Sequence, residues 1–335
     1  MACAPAHWFV PALLLVWASG CRSAVEPPVD PLQGLRQALQ LPRLRLELKA
    51  QSGKHWKKRD LNYEAVSLQG RHDKRIEGLL CYSDLAAAAP LPALLFMPGS
   101  SDAKEDLWRP RDLLGHFADA GFVVMSLDRR YRGAGELAAA VAERGLVPTW
   151  GEFVYDLQHG LDYLAQRAEV DPRRLGALGL SLGGWEALIL AAIDSRVGAV
   201  VCAGGHVVWS QVFAGERWQM IFPALPLTKR LKAAGIGGQE ARTEFFRNHP
   251  GLKTIGATQL LPMIAPRPQM LLVGESDPLV GGLEGLLAEV GPRYAAFPSR
   301  LRGVVERRTG HRFSTGMRDS ATAFLKRFLG RPRVE

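Results

Sequence analysis

Residues 176–184 read Gly176-Ala177-Leu178-Gly179-Leu180-Ser181-Leu182-Gly183-Gly184, and within them Gly179 to Gly183 fits G-x-S-x-G. An apolar run, Leu175 to Leu180, precedes the serine, and a helix-compatible run, Trp185 to Ala192, follows it. A serine between a strand and a helix sits on a tight turn with its hydroxyl exposed at the top of a sheet, and glycines on either side let strand and helix pass close to the turn. The pentapeptide is weak evidence by itself, because Gly, Ser and Leu are common and the chain has 35 glycines. Its surroundings must supply the rest.

Working outward, short apolar runs alternate with amphipathic ones. Ala93–Met97, Phe122–Leu127, the run from Leu175, Val197–Ala203, Gln269–Val273 and Leu301–Arg307 read as strands. Residues 107–120, 151–167, 184–193, 283–296 and 319–329 read as helices, with Phe153, Leu157, Leu161 and Leu164 on one face of the second. This rhythm implies a mostly parallel sheet covered on both faces. Upstream, residues 33–50 suggest a short helix followed by a strand at Leu44–Lys49. Tyr63–Leu68 and Arg75–Tyr82 read as antiparallel strands near the sheet edge. Residues 129–150 read as a loop, and Asp171-Pro172 as a turn into the strand at Leu175. Residues 205–261 break the rhythm and suggest a mostly helical insertion over the sheet edge.

Composition narrows the class. The chain has 335 residues, 47% hydrophobic and 22% charged, which is ordinary for a globular α/β domain. Lys and Arg outnumber Asp and Glu by 42 to 33. Most of the excess is scattered arginine, and no nucleic-acid module accompanies it, so nucleic acid is not an expected partner. The densest basic cluster is Lys54-His55-Trp56-Lys57-Lys58-Arg59. Residues 8–18 form an apolar run too short to span a bilayer, as in a signal peptide over residues 1–20. Ser19-Gly20-Cys21 resembles the end of a bacterial lipoprotein signal, with Cys21 as the lipidated residue and 21–32 as a tether. Ala18 in place of a leucine, and no Lys or Arg among residues 1–7, leave an ordinary cleaved signal as the alternative. Either way the chain is expected in the cell envelope or beyond it, anchored to the membrane if Cys21 carries lipid. Cys81 and Cys202 lie in strand-like apolar runs and read as buried thiols. No Cys/His spacing suits a metal, and no cofactor is expected.

Nucleophilic catalysis by serine needs a base, a group that orients the base, and donors for the developing oxyanion. On a sheet of this kind they sit on loops at the C-terminal strand ends, in the order serine, acid, histidine. After the strand at 269–273 comes Gly274-Glu275-Ser276-Asp277-Pro278, which nominates Asp277, with Glu275 as competitor. After the last strand comes Thr309-Gly310-His311, and His311 alone among eight histidines has that placement. His206, after the strand at 197–203, could line the pocket or be structural. Backbone N–H groups for an oxyanion are expected from Leu182, at a helix N-terminus, and from Ser100, with Ser101 second.

These segments resemble the α/β-hydrolase superfamily, in its dienelactone-hydrolase, acetylxylan-esterase and prolyl-oligopeptidase-like branch. The resemblance covers about residues 75–330. It is strongest in Asp171 to Gly176, Gly179 to Gly184, Ile264 to Pro268, Gly274 to Pro278 and Gly310-His311. It implies an α/β-hydrolase fold in a single domain over 33–331, with a helical insertion before the acid-bearing strand. It implies Ser181 as nucleophile, Asp277 as acid and His311 as base, acting on a small-molecule carboxylic ester through an acyl-enzyme. Such enzymes commonly carry His-Gly where this chain has Pro98-Gly99, so the brace that the histidine gives the oxyanion loop is missing. Two alternatives stand beside the esterase. One is a small peptidase, although roughly 75 residues ahead of the core are too few for a propeller. The other is a catalytically silent envelope protein that keeps the fold.

Overall fold

The computed structural model describes residues 30–100, 113–131, 134–208 and 251–330. Cys21 and the leader, Ser101, and residues 209–250 of the insertion lie outside the described residues. Nine strands form one sheet: β1 (Gln51–Lys58), β2 (Leu61–Gln69), β3 (Arg75–Ser83), β4 (Leu91–Met97), β5 (Val123–Leu127), β6 (Val170–Leu180), β7 (Val197–Ala203), β8 (Gln269–Gly274) and β9 (Leu301–Glu306). Their order is β1-β2-β3-β5-β4-β6-β7-β8-β9. The strands from β5 through β9 in that order are parallel, while β1, β2 and β3 join antiparallel at one end. This is the α/β-hydrolase architecture.

Eight α-helices are described: α1 (Pro31–Ala38), α2 (Leu113–Asp119), α3 (Ala134–Arg144), α4 (Leu146–Gln166), α5 (Leu182–Ile193), α6 (Ala257–Ile264), α7 (Leu283–Val290) and α8 (Thr315–Leu329). The period-2 alternation of the strands feeds two cores. Ala93, Leu95 and Met97 of β4 pack with α1, α4, α5, α6 and α7 on one face. Leu94 and Phe96 of the same strand pack with α2 and α8 on the other. Strands buried on both faces explain the continuous apolar runs. Helix α5 is buried from Gly183 to Ile193, because it is wedged between the sheet and the helices outside it.

Several expectations are corrected. Leu44–Lys49 is not a strand; Leu44 is 85% exposed and only Leu48 of its apolar residues is buried. The edge strand is β1, whose polar, basic sequence hides the pattern. Most of β1 is exposed, so no alternation is imposed, and Trp56 stacks on Tyr63 of β2 at 5.5 Å. Lysines on an edge strand discourage pairing with another chain. The segment read as a loop at 129–150 is largely α3 and the first turn of α4. Asp171-Pro172 lies within β6, where the pairing with β4 jumps from Leu91↔Val170 to Ala93↔Leu175. Of the insertion expected at 205–261, residues 205–208 and 251–261 are described, and the latter stretch packs on α5 on one face of the sheet; Trp185 Nε1 donates to the Ile255 carbonyl at 2.6 Å.

Candidate active site

The C-terminal ends of the central strands lie side by side. Met97 pairs with Gly179, Leu180 with Ala203, Ala203 with Leu272, and Gly274 with Glu306. The loops leaving β4, β6, β7, β8 and β9 therefore open at one edge of the sheet.

Ser181 occupies the turn between β6 and α5, with φ 55° and ψ −122°. A β-carbon at this φ is strained, at about 1–3 kcal/mol, and persists only where the surroundings hold it. They do so closely here. Ser181 N donates to Ala203 O at 2.7 Å, and Trp185 N to Ser181 O at 3.2 Å. A Cβ at Gly179 would lie 2.1 Å from Gly183 O, and one at Gly183 would lie 2.1 Å from Met97 O, so only glycine lets strand, turn and the loop after β4 meet.

His311 follows β9 and stands between the other two side chains. Ser181 Oγ lies 2.7 Å from His311 Nε2, and Asp277 Oδ2 lies 2.8 Å from His311 Nδ1. The Asp277 side chain is 1% exposed. Its Oδ1 accepts from Leu279 N at 2.8 Å and from Val280 N at 3.3 Å, which holds the carboxylate toward the imidazole. An Nδ1–H donated to Asp277 leaves the Nε2 lone pair for the serine proton. Glu275, the competitor, is exposed, and its Oε2 accepts from Arg308 N at 3.0 Å.

Leu182 is the first residue of α5, and Ser100 is the third residue past β4. Both belong to the segments that meet at Gly183. His206 is buried, 1% exposed, and neither ring nitrogen has a hydrogen-bond partner among the described residues. Burial drives its pKa down to about 4, against the opposing pull of the Asp277 charge. It is therefore a neutral ring at ordinary pH. Cys81 and Cys202 are fully buried and form no disulfide, and burial pushes the Cys202 thiol up to about 12.

The Hydrolase_4 family model, described as serine aminopeptidase, S33, matches residues 93–264, which run from β4 to the end of α6. The chain belongs to this family of α/β-hydrolases. The hydrolase is 28% identical over 306 residues to YtaP of Bacillus subtilis (strain 168), a protein named as a hydrolase, with 81% of this chain and 94% of YtaP covered. Among solved structures, an acetyl xylan esterase from Paenibacillus sp. R4 matches with TM-score 0.65 at 15% identity, covering 89% of this chain and 93% of its own. A glucuronoyl esterase from Solibacter usitatus matches with TM-score 0.63 at 14% identity, covering 87% and 91%. At these identities the likeness is one of fold.

Two further residues of the hydrolase reach the site without any motif to announce them. Arg129, just past β5, and Glu186, on α5, form a bidentate ion pair, with Nε to Oε1 at 2.8 Å and a terminal nitrogen to Oε2 at 2.7 Å. The available signal was Glu186 itself, the one charged residue between Leu182 and Ile193. A carboxylate inside so apolar a helix needs a buried partner.

Proposed function

We propose that this protein is a serine hydrolase that cleaves carboxylic esters through an acyl-enzyme. The observation that carries the reading is the unbroken hydrogen-bonded chain Ser181–His311–Asp277 at a strand-to-helix turn. His311 Nε2 takes the Oγ proton as Ser181 attacks the ester carbonyl. Asp277 keeps the imidazole in the required tautomer and stabilises the cation that forms. The carbonyl oxygen becomes an oxyanion facing the Leu182 and Ser100 N–H groups, aided by the positive end of α5. Collapse expels the alcohol, which His311 protonates. Water, deprotonated by His311, then releases the acid and restores Ser181.

The structural neighbours named as acetyl xylan and glucuronoyl esterases favour esters of carbohydrates as the first substrates to try. The family description as a serine aminopeptidase favours a second reading, hydrolysis of small peptides by the same residues. Purified protein assayed on acyl esters from acetyl to octanoyl, on acetylated sugars and on aminoacyl p-nitroanilides separates the two. Ester turnover well above amide turnover is expected. Amide turnover without ester turnover would replace the first reading by the second.

The leader belongs to the same proposal. Residues 1–20 direct export, and lipid on Cys21 holds the enzyme at the envelope membrane. Among the described residues no helix is long and apolar enough to cross a membrane.

A further inference from the structure

The loop after β4 carries one of the two proposed oxyanion donors, and Pro98 stands where a bracing histidine is common. The brace comes from another direction. Arg129 donates to two successive carbonyls of this loop, to Pro98 O at 2.6 Å and to Gly99 O at 2.8 Å. The same guanidinium is held by both oxygens of Glu186, whose side chain is 3% exposed. Glu186 lies five residues beyond Ser181 on the helix that begins at the nucleophile turn. One planar group therefore ties the oxyanion loop to the nucleophile helix, with charge-assisted bonds at each end.

The consequence follows from peptide geometry. In a trans peptide the N–H points opposite to the C=O. Carbonyls of Pro98 and Gly99 turned onto Arg129 leave the N–H groups of Gly99 and Ser100 turned away from it. Without the guanidinium these two peptides, bounded by a glycine, are free to flip, and a flipped Gly99–Ser100 peptide would present a carbonyl oxygen where a donor is required.

We infer that Arg129 and Glu186 are positioning residues for the oxyanion hole, setting the loop so that the Ser100 N–H is presented to the reacting carbonyl. The inference rests on the serine-hydrolase reading of Ser181. It requires that the clamp act on the transition state and not on substrate binding, so its loss lowers kcat and leaves KM in place.

Arg129→Met, Arg129→Lys and Glu186→Gln test this in the full-length protein, with thermal melting to confirm the fold. Two rates are read: turnover of the best ester, and the rate at which a fluorophosphonate probe labels Ser181, since its phosphoryl oxygen needs the same hole. Arg129→Met is expected to lose about 10²-fold in both rates, the scale of one oxyanion donor, with KM changed less than threefold. Arg129→Lys, which can reach a carbonyl but cannot fork, should recover part of the loss. Glu186→Gln should lose about tenfold in both rates, and it decides the matter alone if Arg129→Met fails to fold. Rates within threefold of wild type, or a loss confined to KM, would overturn the inference. A wild-type protein that is labelled but turns over no ester removes the ester reading and leaves the clamp judged by labelling rates. A wild-type protein that is not labelled overturns both.

Discussion

Ser181 holds a left-handed φ that an L-residue adopts at a cost, and the hydrogen bonds to Ala203 and Trp185 are what keep it there. The strain aims Oγ at His311. Ser181→Ala is expected to abolish turnover with the melting temperature within a few degrees of wild type. His311→Ala should do nearly the same. Asp277→Asn keeps the shape but favours the wrong imidazole tautomer, and should lower kcat by roughly 10³–10⁴-fold in steady-state assays. That these three side chains meet was legible in the sequence, because chain order and strand ends constrain where they can stand. The sequence favoured Asp277 over Glu275 because Glu275 lies nearer the strand end, and the Glu275 carboxylate indeed turns elsewhere, accepting from the Arg308 backbone N–H. Arg129 was not legible, because its partners are two backbone carbonyls and a helix residue 57 positions away.

At the scale of elements, the site depends on how closely α5 approaches the loop after β4. Gly183 is the contact point, with Met97 O and Pro98 O within 2.4 Å of where a Cβ would stand. Gly183→Ala should therefore destabilise by about 1–3 kcal/mol through overpacking, and displace the loop that carries Ser100. Chemical denaturation and kcat measured on the same preparation check both effects; a fully stable, fully active Gly183→Ala would refute the close approach. The parallel strands were readable because burial on both faces makes them apolar throughout. Strand β1 was not, because exposure removes the alternation that marks a strand, and its lysines read as a charge cluster. The signal for helix α3 is the alanine-rich run from Glu136 to Arg144, since alanine is a strong helix former, but the run lacks the apolar periodicity that marks α4.

Over the whole molecule, two cores on opposite faces of one sheet hold the strand ends in register, and the acid-stability profile should carry the cost of the titratable groups buried with them, His206 among them. His206 is depressed to about 4 in the folded chain, while the unfolded chain binds its proton near the ordinary value of about 6.5. The unfolded state thus takes up the extra proton, and His206 removes stability as pH falls from about 6.5 toward about 4, by about 1.4 kcal/mol per unit within that window. Asp156, pushed up to about 6 by burial against the pull of Arg130, acts in the opposite sense. The measurement is therefore a difference: His206→Leu should gain stability over wild type as pH is lowered from 7 to 5, and a constant difference would contradict it. The nucleophilic role of Ser181 is tested by fluorophosphonate labelling of the purified protein, with the modified residue located by mass spectrometry. A single adduct on Ser181 is expected, absent in Ser181→Ala and formed far more slowly in His311→Ala. No adduct, or one that persists in Ser181→Ala, would contradict it.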